Sequence, residues 1–209
     1  GGMEIVPGVQ SHPVKTYFED RFEDDVFPLE WAWLRDPDPT KYQRGGPGLV
    51  LHGTEDAITS TGRPTWLGVR QRDHAFRVEA EMSDMKLSEG DEAGLVVYQN
   101  HRFHAVVGVR REGAQLYSFT RQRLGSVVEE TRGEVLASSQ HTLVIEGNRE
   151  HYKLGWRDAQ GQTIFVCNAE ARMYSVEAAG KFTGMMLGLY AQGACEVRCD
   201  RVVRQPIEG

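Results

Sequence analysis

"HAFRVEAEM" (His74–Met82) alternates without a break. Phe76, Val78, Ala80 and Met82 share one face of an extended chain, and Arg77, Glu79 and Glu81 share the other. Side chains along a strand point to opposite faces with a period of two, so this stretch predicts a strand with one buried and one solvated side. The alternation returns in "RFHAVVGVRR" (102–111), which aligns Phe103, Ala105, Val107 and Val109, and in "HYKLGWR" (151–157), which aligns Tyr152, Leu154 and Trp156. "GLVVY" (94–98), "TIFVC" (163–167) and "MMLGLY" (185–190) are apolar at both parities and predict strands covered on both faces. Turn signals such as "SEGDEAG", "REGA", "EGNRE" and "DAQGQ" lie between these runs.

A helix of ordinary length is hard to find. "NAEARMYSVEAAG" (168–180) reads as a loop with one helical turn, and "DPDPTKYQRGGPG" (36–48), with three prolines and three glycines, reads as loop. Many short strands, close turns and few helices indicate an all-β antiparallel sandwich. With no internal repeat, low-complexity tract or linker, residues 17–209 read as a single β-sandwich domain. Residues 1–16 read as an N-terminal extension in which Gly1 and Gly2 are a tag remnant and Met3 is the natural start.

The chain has 209 residues, 40% hydrophobic and 26% charged, with a formal net charge of −6. That balance, with no Lys/Arg block and no basic-aromatic interleaving, argues against a nucleic-acid partner. No apolar stretch approaches the ~20 residues of a bilayer span, and the start lacks the charged and apolar regions of a signal peptide, so no membrane partner and a cytoplasmic location are expected. Of the three cysteines, Cys195 and Cys199 share a face of a predicted strand. At ~3.3 Å per residue they stand ~13 Å apart, too far for a disulfide. Free thiols in a reducing cytoplasm are the expectation.

"FEDRFEDDVFPLEWAWLRDPDPTKYQ" (18–43) carries an acidic-aromatic segment, then Trp31, Trp33, Arg35, Pro37 and Tyr42. "PGLVLHG" (47–53), the Arg70-Gln71 pair, "GDEAGLVVYQNHRFHAVVGV" (90–109), "ARMYSVEAAGKFTGMMLGLYA" (171–191) and "VRCDRVV" (197–203) follow in order. Together these resemble the C-terminal domain of family 43 glycoside hydrolases, the β-xylosidases and α-L-arabinofuranosidases, over roughly residues 17 to 204. Val202 and Val203 stand where that family commonly has aromatics. The resemblance implies a concanavalin A-like jelly-roll sandwich of two curved antiparallel sheets. It also implies that hydrolysis belongs to a separate N-terminal five-bladed propeller carrying an acidic base and an acidic proton donor. The Phe182 of "KFTG" (181–184) matches a family loop that reaches the propeller and helps close the sugar pocket; the competing reading has Phe182 capping the sandwich as core.

Glycoside cleavage needs two carboxylates ~5–10 Å apart across the bond. Sandwich hydrolases of the laminarinase type carry Glu-x-Asp-x-x-Glu on one strand. Here "EGDEAG" supplies Glu89 and Asp91 but has Gly94 in the last place, and it sits in a turn signal. Glu129, Glu130 and Glu134 read as a charged solvent face. His101 and His104, at an odd offset, point to opposite sides of a strand and do not suit one metal. No cofactor is required by any of these patterns. One structural calcium, tying the first and last strands through Glu19 or Asp20 and Asp200, is weighed against plain exposed charge. For sugar contacts, Phe182, Trp31, Trp33, Arg70, Gln71 and Arg72 are the candidates. Aromatic rings stack on sugar C–H faces and Arg/Gln side chains read hydroxyls, although tryptophans more often fill sandwich cores. The expected function is an accessory sandwich that binds or helps enclose xylo- or arabino-oligosaccharides with a catalytic propeller subunit. The alternatives are a stand-alone sandwich hydrolase with an unrecognised carboxylate pair and a non-catalytic structural or oligomerisation module.

Overall fold

The computed structural model describes residues 16–174 and 184–209. In chain order the strands are β1 (Phe18–Asp20), β2 (Ala32–Trp33), β3 (Tyr42–Gln43), β4 (Leu49–His52), β5 (Thr65–Arg70), β6 (Phe76–Lys86), β7 (Glu92–Asn100) and β8 (Phe103–Glu112). They continue as β9 (Gln115–Leu124), β10 (Val127–Val135), β11 (His141–Gly147), β12 (His151–Arg157), β13 (Thr163–Glu170), β14 (Met186–Gln192) and β15 (Glu196–Pro206). An eight-stranded sheet runs β13-β12-β11-β6-β15-β4-β3, with β1 also on β15; a seven-stranded sheet runs β10-β9-β8-β7-β14-β5-β2. Their ladders are antiparallel, and helical structure among the described residues is confined to 3-10 turns at Pro39–Lys41 and Ala171–Met173. This is the concanavalin A-like sandwich expected.

The alternating stretches set the inner layer. Phe76, Val78, Ala80 and Met82 of β6 face Leu67, Val69, Leu95, Val97, Ala105, Val107, Leu187 and Leu189 of the other sheet in one buried cluster. Full burial of such a side chain contributes about 1.5–3 kcal/mol, so truncating a central member such as Leu95 to Ala costs roughly 2–5 kcal/mol once the cavity is included. β15 pairs with β6 from Glu196↔Lys86 to Pro206↔Phe76, which brings the last strand to the middle of its sheet. β4 and β1 then share the other edge of β15, at Glu196–Cys199 and at Val202–Arg204.

"GLVVY" and "MMLGLY" are indeed covered on both sides. Leu95, Val97, Leu187 and Leu189 face inward, while Val96, Tyr98 and Tyr190 join a second buried cluster with Trp66, Val106 and Phe119 on the far side of the seven-stranded sheet. "TIFVC" departs from expectation. It opens β13, the edge of the eight-stranded sheet, where Val166 is 39% exposed because, among the described residues, no strand or layer covers its outer side. Cys167, Cys195 and Cys199 are free thiols, and burial pushes the Cys195 thiol up to about 11.

Candidate functional site at the loop-bearing end

Residues 175–183 connect β13 to β14, and Phe182 lies outside the described residues. The two ends of this connection are tied together through Gln71. Its backbone N–H donates to the Met185 carbonyl (3.0 Å), and its side-chain Oε1 accepts from the Tyr152 hydroxyl (2.8 Å). Its amide Nε2 donates to the Asp73 carbonyl (2.9 Å). The Tyr152 ring meets Tyr174 edge-on at 6.4 Å, and the Tyr174 hydroxyl donates to Gln122 Oε1 (2.7 Å). Gln71 is buried because Arg70 ends β5 pointing outward and the next side chain turns in; Arg70 and Arg72 are exposed on either side of it. The Arg70 carbonyl accepts from Arg204 Nη1 (2.8 Å). Gln71, Arg70 and Arg72 thus stand at the root of the connection that carries Phe182.

The two tryptophans named from the sequence are engaged in packing. Trp31 is 5% exposed, edge-on to Phe18 (5.5 Å) and tilted against Phe22 (5.8 Å), with its Nε1 donating to Asp20 Oδ2 (2.8 Å). Trp33 packs edge-on against Phe27 (5.0 Å) and Tyr42 (6.1 Å). Glu19, Asp20 and Asp200 are not gathered into a ligand set, although β1 and β15 do pair. Arg44 forks onto both oxygens of Asp20 (2.8 and 3.0 Å), and Arg201 and Arg21 approach Glu19 Oε2 at 2.5 and 3.2 Å. The Arg201 hydrogen bond holds the Glu19 carboxyl below its ordinary range. Among the described residues no group of three His, Cys, Asp or Glu is placed to hold a metal ion. Glu89 and Asp91 are tied into a turn, accepting from the Gly113 and Ser88 N–H groups (2.7 and 2.9 Å).

A second constellation takes in Glu130, expected on a charged solvent face, and pairs it with two arginines. On the outer face of the seven-stranded sheet, the Tyr190 hydroxyl donates to Glu92 Oε2 (2.5 Å). Arg121 forks onto Glu92 (2.6 and 3.2 Å) and reaches Glu130 (3.1 Å), which also takes a fork from Arg110 (2.6 and 3.2 Å). Both guanidinium groups cover the Phe119 ring, at 4.7 and 5.2 Å. Burial, with the Glu92 charge behind it, pushes the Tyr190 phenol well above its ordinary value, and the Arg110 hydrogen bond holds Glu130 below its own. Nearby, Tyr98 lies between Trp66 (5.2 Å) and a stacked His104 (5.8 Å), whose imidazole burial lowers to about 4. Gly188 makes room for this layer: a Cβ there would stand 2.7 Å from Trp66 Cε2. With Tyr190 fully buried and Glu92 neutralised by Arg121, the cluster braces the sheet and offers no accessible nucleophile. Its signal in the sequence is Glu92 itself, a carboxylate opening a run expected to be covered on both faces, which demands a cation across the sheet.

Residues 19–200 match the family described as the β-xylosidase C-terminal concanavalin A-like domain. A non-reducing end α-L-arabinofuranosidase of Bacteroides ovatus is 28% identical over 193 residues, covering 90% of this chain and 36% of that protein. A xylosidase/arabinosidase of Butyrivibrio fibrisolvens is 25% identical over 150 residues, covering 69% of this chain and 28% of that protein. Among solved structures, the Bacteroides ovatus xyloglucan PUL GH43B superposes with a TM-score of 0.80 at 24% identity, over 90% of this chain and 39% of that one. A xylan β-1,4-xylosidase of Bacillus halodurans superposes with a TM-score of 0.78 at 18% identity, over 93% of this chain and 40% of that one. This chain therefore spans little more than a third of the curated arabinofuranosidase. It belongs to the family of β-xylosidase C-terminal concanavalin A-like domains.

Proposed function

We propose that this sandwich is an accessory domain that helps enclose xylose- or arabinose-containing sugars for a family 43 catalytic propeller, with Phe182 as its contact residue. The observation that carries the reading is the tie through Gln71, which fixes both ends of the connection bearing Phe182 to the same corner of the sandwich. A contact loop needs such a rigid base, because a ring misplaced by an ångström loses most of what orientation contributes. The family membership and the activities named for the Bacteroides and Butyrivibrio relatives support this choice of sugar class. Arg70 and Arg72, exposed beside the base, are suited to hydroxyls or to carboxylates of a partner surface.

Isothermal titration of the chain with xylobiose and L-arabinose, alone and with a family 43 propeller, tests the reading. Binding or activity that needs both components, and that falls in Phe182→Ala, is the expected result. Unchanged affinity in Phe182→Ala removes the contact role. Release of nitrophenol from aryl xylosides by the pure chain alone would replace the accessory reading with a hydrolase.

A further inference from the structure

Four exposed arginines gather at the loop-bearing end, each displayed by a fixed piece of backbone. In the β7–β8 turn, Asn100 Oδ1 accepts from the Arg102 and Phe103 N–H groups (2.8 and 3.0 Å), which leaves Arg102 at the tip. In the β11–β12 turn, Asn148 Oδ1 accepts from the Glu150 and His151 N–H groups (both 2.8 Å) and leaves Arg149 at the tip. The inward turn of Gln71 leaves Arg70 and Arg72 outside. Strand registers bring the four to one end. Met186 pairs with Arg70 on one side and Tyr98 on the other, so Arg70 and the approach to the β7–β8 turn stand two strand spacings, ~10 Å, apart. Gly147 pairs with Phe76 and Tyr152, so Arg149 lies at the same end on the other sheet. The β13–β14 connection returns beside the β7–β8 hairpin: a Cβ on Gly184 would stand 3.4 Å from Gln99 Nε2.

Their guanidinium groups are uncommitted. Among the described residues, no hydrogen bond or ion pair engages the side chains of Arg70, Arg72, Arg102 or Arg149. At the opposite end the same residue type is fastened. Arg63 Nε donates to the Asp36 carbonyl (2.6 Å), Arg111 to the Gly113 and Leu87 carbonyls (2.8 and 3.0 Å), and Arg157 to Glu79 (2.6 Å). Arg204 adds charge from below. It is 2% exposed and its guanidinium donates to the Thr16 and Arg70 carbonyls, with no carboxylate bonded to it among the described residues. Glu30, Asp73 and Glu150 lie at this end too, and none of them forms an ion pair with these arginines. In a chain of formal net charge −6, the end that carries Phe182 thus keeps free positive charge.

Chemistry narrows the ligand. A guanidinium fork matches a carboxylate bidentately, and several such forks at one end of a molecule raise the local concentration of anions. Arginines fixed by bonds of their own suit one protein face of set shape. These four are held by nothing beyond their backbone, which suits a flexible chain bearing carboxylates at intervals. A neutral pentose gives such a field no charge to act on. We propose that Arg70, Arg72, Arg102 and Arg149 form an electropositive rim that draws in uronate-bearing glycans, acidic branches on a pentose chain, and holds them beside the β13–β14 connection. The pentose part rests on the accessory reading above; the rim goes beyond it, because that reading needs no acidic branch.

The test is titration of the whole chain with two xylo-oligosaccharides of equal length, one unbranched and one carrying a glucuronate branch, at low and high salt. The branched oligomer is expected to bind about tenfold tighter at low salt, with the advantage lost at high salt. Replacing the four arginines together (R70Q, R72Q, R102Q, R149Q) is expected to bring the branched oligomer to the affinity of the unbranched one. The urea midpoint should stay unchanged, because all four side chains are exposed. Arg132→Gln, on β10 and away from the rim, is expected to change neither affinity. Equal affinity of the two oligomers in the parent, or no binding of either, overturns the proposal, as does a preference for the branch that survives the fourfold change. An advantage abolished by an equal concentration of inorganic phosphate also overturns it, since the rim would then take any anion. Each of these results leaves the accessory reading standing where a family 43 propeller still binds and that binding still falls in Phe182→Ala. If the fourfold variant loses the propeller and keeps the preference for the branch, the rim faces a protein and the proposal fails.

Discussion

The outer face of the eight-stranded sheet carries Arg77 paired with Glu146 and Arg201 paired with Glu81, with side chains 23–38% exposed. The outer face of the seven-stranded sheet uses the same residue types, yet Arg121 and Glu92 are only 12% and 6% exposed and sit among Phe119, Trp66 and Tyr190. Ion pairs in water are worth ~0–1 kcal/mol, because solvent screens them and ordering long side chains costs entropy. A pair withdrawn from water adds little net stability when intact, but breaking it strands a charge and costs about 3–5 kcal/mol. The first pairs are therefore tolerant and the second specifying, although their compositions look alike; on the eight-stranded face only Glu79, 6% exposed beneath Arg77 and Arg157, resembles Glu92 among the described pairs.

The sharpest way to break this contrast is Glu92→Ala. Leaving the Tyr190 hydroxyl without its partner and Arg121 with Glu130 alone is expected to lower unfolding free energy by about 3–5 kcal/mol in urea. A loss below ~1 kcal/mol would place both faces in one class. Next comes acid titration of the fold. His104 is held near 4 in the folded chain against 6.5 ordinarily, so above pH ~6.5 it is neutral in both states and contributes no slope. Between 6.5 and about 4 the unfolded chain takes the proton first, and stability falls by ~1.4 kcal/mol per pH unit as pH drops. His104→Phe should reduce that part of the slope, leaving the share of His141, which burial lowers to about 4 as well; identical slopes would show that His104 is not protected. Gly188→Ala forces Trp66 off the sheet and is expected to cost about 1–3 kcal/mol, with a changed tryptophan emission. Smallest is Glu146→Ala on the other face, at ~0–1 kcal/mol and vanishing in high salt.

The inner layer was legible because burial on one side imprints a period of two, as in Phe76, Val78, Ala80 and Met82. The second apolar layer was legible only in part: "GLVVY" announced two covered faces without naming the cover. That cover includes Arg110, Arg121 and Glu130, which the chain places on β8, β9 and β10, and charges brought together by registers such as Glu130↔Arg121 leave no local pattern. Edge position is equally non-local, so "TIFVC" reads like a central strand and is not one. At the candidate site, the family resemblance singles out the Arg70-Gln71 pair and Phe182. The hold of Gln71 on Met185 and Tyr152 was not legible, since its partners lie 114 and 81 residues away in sequence. Trp31 and Trp33 share parity, which cannot tell an open platform from the packing against Phe18, Phe22 and Phe27 that they make.

Because Gln71 and Tyr152 clamp the points where the chain leaves at Tyr174 and returns at Met185, these anchors form a socket. Doubling the length of what is plugged in adds only ~0.6 kcal/mol of closure entropy. A change of length or sequence between the two anchors would thus leave the registers of the two sheets untouched.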